Sequence, residues 1–208
     1  MVFVSEIFLG FCRYYNSLNI AYQESIPTNT MRIISYLDNL GRMLGYRIFS
    51  ELTFKKLFSY MNLKCPSDLV RKKPDMCWGK IVDEKMEYEL ILESEQEMNE
   101  EKIENALNKL IIFPSNVKIL YCAHDEPKEV LKILQKLYNK RKKVLGTLLL
   151  IIDPWTTPNK FSEGSLIGLL INSDLEITHT GSAEVFKYSD GIVDIRLFKN
   201  SVWVSITE

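Results

Sequence analysis

The sequence has few of the residues on which several common protein chemistries depend. It contains only two histidines, and its four cysteines, at positions 12, 65, 77 and 122, stand singly without a Cys-x-x-Cys pair. Zinc sites are built from clustered Cys and His side chains, so this spacing argues against one. Isolated cysteines are typical of buried, reduced thiols in a cytoplasmic protein.

Neither sign of charge predominates, and no apolar run is long. Lys and Arg number 26 against 27 Asp and Glu, which excludes a protein that coats nucleic acid through bulk positive charge. The apolar runs fall far short of the roughly 20 residues that cross a bilayer, so we expect no membrane association and a cytoplasmic location. Glycine-rich phosphate loops are also missing, which argues against nucleotide-driven motors and dinucleotide oxidoreductases.

Apolar periodicity predicts an α/β chain with 46% apolar and 25% charged residues, the balance of a globular protein. The predicted helices lie at 2–23, at 30–45, from 99 and from 127, and the predicted strands at 46–51, 76–82, 87–92, 117–122 and 147–152. We expect one domain over 1–208, made of an N-terminal helix (1–28), a core that bears the motifs (30–122), and a last part with a helix, a strand and a β-rich extension (123–208). Residues 145–208 either extend the sheet or build a dimer contact.

The first predicted helix carries an unusually aromatic face, which includes Phe8, Phe11, Tyr14 and Tyr15. Such a face docks on the core of its own chain or covers a subunit interface, and the pattern leaves both alternatives open.

Acidic residues fall at the ends of two neighbouring strands. Pro74-Asp75 opens one strand, and Glu93-Ser94-Glu95 closes the next, directly after the apolar run 90–92. A polar turn at 83–85 is expected to join the strands as a hairpin, which brings Asp75 and Glu93 to the same open end of the sheet. Two carboxylates and a backbone carbonyl suit a hard cation such as Mg²⁺.

These motifs, set in the order helix, strand, strand, strand, helix, strand, resemble the PD-(D/E)XK nuclease superfamily of many restriction endonucleases and archaeal Holliday-junction resolvases. The resemblance covers about residues 30 to 122. It implies a restriction-endonuclease-like αβββαβ core, with a mixed central sheet flanked by helices. It also implies one Mg²⁺ or Mn²⁺ ion, held by Asp75, Glu93 and the carbonyl of Ser94.

The third position of the family motif departs from the usual pattern. Members usually carry Lys there, to orient or activate the attacking water, whereas this chain has Glu95. Some restriction enzymes of the superfamily also carry Glu, which implies a general base or a further metal ligand. Glu51 matches an accessory catalytic acid of several members. Lys73 and Lys102 are alternative positions for a displaced functional lysine.

Three acidic features, including the candidate site itself, have competing interpretations. Asp83-Glu84-Lys85 spells the second motif literally, but a polar turn explains these residues without function. Asp153-Pro154-Trp155 follows a buried strand, where a strand-ending proline and a packed tryptophan explain it equally well. Asp75, Glu93 and Glu95 themselves are compatible with a solvated, acid-rich edge.

Phosphate groups need cationic anchors that the acidic site does not supply. The candidate DNA-binding residues share a position in short basic runs: Lys55, Lys56, Arg71, Lys72, Lys73, Lys140, Arg141, Lys142 and Lys143. Solubilising surface is the competing interpretation, and for the last run also a favourable helix C-terminus.

The resemblance implies a metal-dependent DNA endonuclease that acts on duplex or branched DNA as a homodimer. One alternative is a junction resolvase that recognises DNA shape. Another is a catalytically inactive nuclease-like module that binds nucleic acid or protein, which Glu95 in place of Lys favours. Size and composition are similar to those of small nucleases of archaeal viruses and plasmids, which would act in the host cytoplasm.

Overall fold

Nine strands follow one another across a single sheet in the order in which they occur in the chain. The computed structural model describes residues 4–17, 27–50, 74–83, 85–95, 99–123, 127–140, 146–153, 164–174, 176–187, 193–199 and 202–205. The described strands are β1 Arg47–Ser50, β2 Met76–Val82, β3 Lys85–Glu95, β4 Ser115–Ala123, β5 Thr147–Asp153, β6 Gly164–Ile171, β7 Ile177–Lys187, β8 Val193–Lys199 and β9 Val202–Ser205.

Four helices occur within those ranges: α1 Val4–Ser17, α2 Pro27–Met43, α3 Glu100–Ile112 and α4 Pro127–Lys140. Helix α3 connects β3 to β4 and α4 connects β4 to β5, and both of these strand pairs are parallel. The remaining pairs are antiparallel. The chain is therefore an α/β protein with an open, mixed central sheet flanked by helices. In the part of the chain described, no helix is long and apolar enough to cross a membrane.

The central strands are covered on both faces. Leu148, Leu150 and Ile152 of β5 pack in the cluster that includes α3 and α4, whereas Leu149 and Ile151 pack in the cluster that includes α1 and α2. Burial on both faces accounts for the uniformly apolar sequence of this strand.

The aromatic face of α1 docks on its own chain. Phe8, Phe11 and Tyr15 are buried, and α1 contacts β6, β7 and β8 as well as α2. The docking interpretation is thus confirmed. The alternative, in which this face covers a subunit interface, is wrong for these side chains because they already lie inside the chain. Strands β6 to β9 continue the sheet beyond β5, as one of the two alternatives for the C-terminal region required.

Local sequence signals account for several element boundaries. Asn99 caps α3, since its Oδ1 accepts a hydrogen bond from the amide of Lys102 at 2.8 Å, as predicted. Gly45 follows the end of α2 with a φ of 79°, where a residue without a side chain is unstrained. Cys12, Cys77 and Cys122 are buried thiols outside any disulfide, and Cys65 lies outside the described residues.

The hairpin of β2 and β3 is confirmed, with a longer second strand than predicted. Met76 pairs with Leu92 at one end and Val82 with Lys85 at the other. Strand β3 continues to Glu95 because its last residues still pair with β4. The acidic motif therefore lies within the strand and not after it.

Candidate metal site

The strand register brings Asp75 and Glu93 to the same end of the hairpin. Asp75 directly precedes Met76, whose partner Leu92 directly precedes Glu93. The amide of Ser94 donates a hydrogen bond to Asp75 Oδ2 at 2.6 Å. The N–H and C=O groups of a strand residue point to the same side, so the Ser94 carbonyl is directed toward Asp75 as well. The three residues expected to bind a metal thus lie side by side.

Glu93 is the buried member of this group, with 2% of its surface exposed. Strand alternation puts it on the same face as Ile91, toward α3. Its Oε2 accepts a hydrogen bond from Lys109 Nζ at 2.8 Å. Its Oε1 is buried and accepts no hydrogen bond from any residue that the structure describes. A buried carboxylate oxygen in that state is costly unless a ligand completes it.

The pKa of Glu93 is raised to about 8, chiefly by burial and then by the negative charge of Asp75, while Lys109 opposes both effects. Strongly perturbed carboxyl groups next to a second carboxylate occur more often at functional sites than elsewhere. The pKa shift therefore agrees with the geometry in singling out this end of the hairpin.

Lys109 is the residue that sequence reasoning missed. Lys102, one of the two lysines proposed instead, is exposed at the start of α3, and Lys73 lies outside the described residues. Lys109 lies about two helical turns after Lys102, on the same side of the helix. Since α3 must run back along β3 to begin the parallel strand β4, a lysine two turns into it passes over the strand. The order strand, helix, parallel strand is therefore the sequence signal from which Lys109 could have been predicted.

Ser94 and Glu95 face opposite sides of the sheet. The hydroxyl of Ser94 is 2.9 Å from that of Thr30 on α2, so α2 contacts the site from the far face. Glu95 shares the face of Glu93 and lies opposite Cys122 of β4, whose thiol pKa is raised by burial and, to a smaller extent, by Glu95.

The literal second motif lies elsewhere. Asp83, with a φ of 48°, occupies the turn between β2 and β3, and Lys85 begins β3. Both are at the opposite end of the hairpin from Asp75, as turn chemistry predicted.

The donor atoms at the site suit a hard cation. Across the described ranges, no group of three or more His, Cys, Asp and Glu side chains is arranged to hold a metal. Mg²⁺, however, usually binds through one or two carboxylates and keeps several waters. Asp75, Glu93 and the Ser94 carbonyl match that requirement, and Glu93 Oε1, which accepts no hydrogen bond from the described residues, would be available to such an ion.

A second buried carboxylate lies on the other face of the sheet. Asp153, at the end of β5, has no exposed surface, and its Oδ2 accepts hydrogen bonds from the hydroxyls of Tyr15 and Tyr121. Arg32 Nη1 in turn donates to the hydroxyl of Tyr15 at 2.9 Å. These bonds join α1, α2, β4 and β5, which gives Asp153 a structural role. Pro154 and Trp155, on which the competing interpretation depended, lie outside the described residues.

The predicted DNA-binding residues are not brought into the site by the described part of the chain. Lys140 is the last residue of α4. The others lie outside the described residues, as does the accessory acid Glu51: Lys55, Lys56, Arg71, Lys72, Lys73, Arg141, Lys142 and Lys143. Their roles stay predictions.

Comparisons of the chain with protein-family models, with curated proteins and with solved structures each found no match. What the site does chemically therefore has to follow from its own residues.

Proposed function

We propose that the protein is a metal-dependent DNA endonuclease with a restriction-endonuclease-like core of the PD-(D/E)XK type. The observation that carries the proposal is the position of Asp75 next to Glu93 at one end of the hairpin, where a buried glutamate oxygen accepts no hydrogen bond from the described residues. The order α2, β1, β2, β3, α3, β4 among the described elements also supports it.

Asp75, Glu93 and the Ser94 carbonyl would hold Mg²⁺ or Mn²⁺. When bound, the ion polarises the scissile phosphodiester and lowers the pKa of a coordinated water. The protein's part is to hold its ligands in place. The Ser94 amide donates a hydrogen bond to Asp75, and Lys109 donates one to Glu93.

Glu95 is the proposed general base. It shares the face of β3 with Glu93 and is only partly buried, so water has access to it. In that role Glu95 would accept the proton of the attacking water.

The alternative is a catalytically inactive nuclease-like module that binds DNA or protein. Two observations favour it: Glu95 occupies the position at which the family usually has lysine, and the described residues contain no third metal-binding side chain beside Asp75 and Glu93. Such a module has no need of a divalent ion and should be indifferent to the loss of Asp75.

A cleavage assay separates these functions. Linear, supercoiled and four-way-junction DNA would be incubated with Mg²⁺, Mn²⁺ or a chelator, using the wild type, Asp75→Ala and Glu93→Gln. We expect metal-dependent cleavage that falls at least about 100-fold in both variants, since each removes a ligand. Preference for the junction would identify a resolvase.

Glu101→Gln is the matched control, because Glu101 is an exposed acid on α3 and its loss should leave cleavage unchanged. Equal cleavage by all variants would refute the catalytic assignment. A folded wild type that cuts nothing across pH, temperature and metal would support the binding module instead.

A further inference from the structure

The metal site contains a lysine that comes from a different element than its two acids. Lys109 of α3 forms a salt bridge with Glu93 of β3, at 2.8 Å between Nζ and Oε2. The side chain of Glu93 is 3% exposed and that of Lys109 is 33% exposed, so the pair reaches from the protein interior toward its surface.

We propose that Lys109 is a positioning residue of this site: it binds Oε2 of Glu93 and thereby leaves Oε1 as the oxygen that meets the metal ion. This inference rests on the proposed function and adds to it a residue outside the acidic motifs.

The two oxygens of Glu93 differ in their surroundings, and this difference supports the assignment. Oε2 has a charged donor at hydrogen-bond distance, whereas Oε1 is buried and accepts nothing from the described residues. A charge-assisted hydrogen bond is short and directional, so it restricts the torsions of the glutamate side chain. The carboxylate is therefore held in one orientation, with one oxygen occupied and the other available.

Orientation matters because the ion tolerates little error in its ligands. Mg²⁺ requires near-octahedral geometry with oxygens at about 2.0–2.1 Å. Groups that hold a ligand in place without touching the metal commonly contribute 10- to 100-fold to metal affinity. Lys109 is in the position to make such a contribution through Glu93.

Lys109 has a second possible effect, with the opposite sign. A lysine that merely neutralised Glu93 would compete with the ion, and its removal would tighten metal binding. A lysine that positions Glu93 has to weaken metal binding when it is removed. Tighter binding by Lys109→Met therefore excludes positioning. Loss of the lysine charge also favours protonation of Glu93, which weakens metal binding without any change in orientation. Lys109→Gln keeps a donor without the charge, so retained affinity in that variant, with weaker binding by Lys109→Met, identifies positioning.

The test is a Mn²⁺ titration of the full-length protein, followed by electron paramagnetic resonance, with wild type, Lys109→Met and Lys109→Arg. We expect the methionine variant to bind Mn²⁺ about 10- to 100-fold more weakly. Arginine should restore most of the affinity, because it keeps a cationic donor. Lys109→Gln, which keeps a donor without the charge, serves as a second variant if methionine impairs folding.

Lys132→Met is the control, since Lys132 is an exposed lysine on α4 without an assigned role and its loss should leave Mn²⁺ affinity unchanged. Unchanged or tighter binding by folded Lys109→Met would overturn the positioning role. Asp75→Ala distinguishes that failure from failure of the proposed function. If Asp75→Ala abolishes binding while Lys109→Met does not, only the role of Lys109 is wrong. If the wild type binds no Mn²⁺, both proposals fail together.

Discussion

Two buried carboxylates lie near the C-terminal ends of parallel strands but on opposite faces of the sheet, and they differ in the hydrogen bonds that they accept. Asp153 ends β5, and Glu93 lies near the end of the parallel strand β3. Two tyrosine hydroxyls donate to one oxygen of Asp153. Glu93 has one oxygen bound to Lys109, and its other oxygen accepts no hydrogen bond in the described structure.

The difference separates a residue that maintains the fold from one that is available to a ligand. A buried carboxylate whose donors come from several elements stabilises their packing, and its loss leaves those donors buried without a partner. A buried carboxylate lowers the stability instead when one of its oxygens accepts no hydrogen bond. The proposal of a ligand at Glu93 rests on this difference.

The largest expected effect comes from removing the carboxylate on the α1 face. Asp153→Ala leaves the hydroxyls of Tyr15 and Tyr121 without their acceptor, at about 1–3 kcal/mol for each buried group. We expect the free energy of unfolding, measured with urea, to fall by about 3 kcal/mol or more. Glu87→Ala, at an exposed position of β3, is the control and should change it by about 0.5 kcal/mol or less. Similar stability of the two variants would remove the contrast with Glu93.

The raised pKa of Glu93 should make the stability of the protein depend on pH. The pKa of Glu93 is about 8 in the folded protein, against a usual value of 4.5. The folded state therefore holds more protons than the unfolded state between these pH values, so wild-type stability falls as the pH rises through them. Each pH unit contributes at most about 1.4 kcal/mol.

Glu93→Gln lacks this titration, so we expect it to become more stable than the wild type as the pH is raised from 5 to 8 in the presence of a chelator. Urea unfolding of both proteins at the two pH values measures the change. Parallel behaviour of the two proteins would show that Glu93 does not carry the raised pKa.

A smaller effect is expected when only one donor to Asp153 is removed. Tyr121→Phe keeps the ring that packs against Phe11, at 6.1 Å between ring centroids, and deletes the hydroxyl. Tyr15 still donates to the carboxylate. Since a single hydrogen bond to a charged group contributes about 1.5–3 kcal/mol, we expect a loss toward the lower end of that range in urea unfolding. A loss equal to that of Asp153→Ala would mean that Tyr15 contributes nothing.

The smallest effect on stability is expected from removing an exposed salt bridge. Lys136 of α4 and Glu100 of α3 form a salt bridge whose side chains are 53% and 38% exposed. Exposed pairs contribute about 0–1 kcal/mol, so Lys136→Ala should change the free energy of unfolding by less than about 1 kcal/mol. High salt should reduce the difference further. A larger loss would show that the contact between α3 and α4 depends on charge.

The sequence was sufficient for features that depend on local pattern. The uniformly apolar run before Asp153, the Asn99 cap and the polar turn at Asp83 each have a local physical cause, and each occurs where it was predicted. The turn also brought Asp75 and Glu93 to the same end of the hairpin. The register shift between Trp78 and Gly79, which puts Met76 opposite Leu92, was not predicted.

Contacts between distant elements were not accessible in the same way. The contact of Lys109 with Glu93 depends on how α3 lies over β3, and the bonds of Asp153 depend on how α1 and α2 dock on the opposite face. Side-chain periodicity predicts which face of a helix is buried but not which residue it meets. The sequence therefore indicated Lys73 or Lys102 and not Lys109 as the lysine near the site, and it did not predict the tyrosine partners of Asp153.

Mn²⁺ binding to the wild type, Glu93→Gln and Tyr121→Phe tests the central claim most directly. Glu93→Gln removes the carboxylate whose Oε1 accepts no hydrogen bond from the described residues. Tyr121→Phe removes a hydrogen bond to Asp153 on the opposite face of the sheet. We expect the wild type and Tyr121→Phe to bind Mn²⁺ with similar affinity and Glu93→Gln to lose most of it. Equal affinity in Glu93→Gln and the wild type would show that Asp75 and Glu93 do not form a metal site.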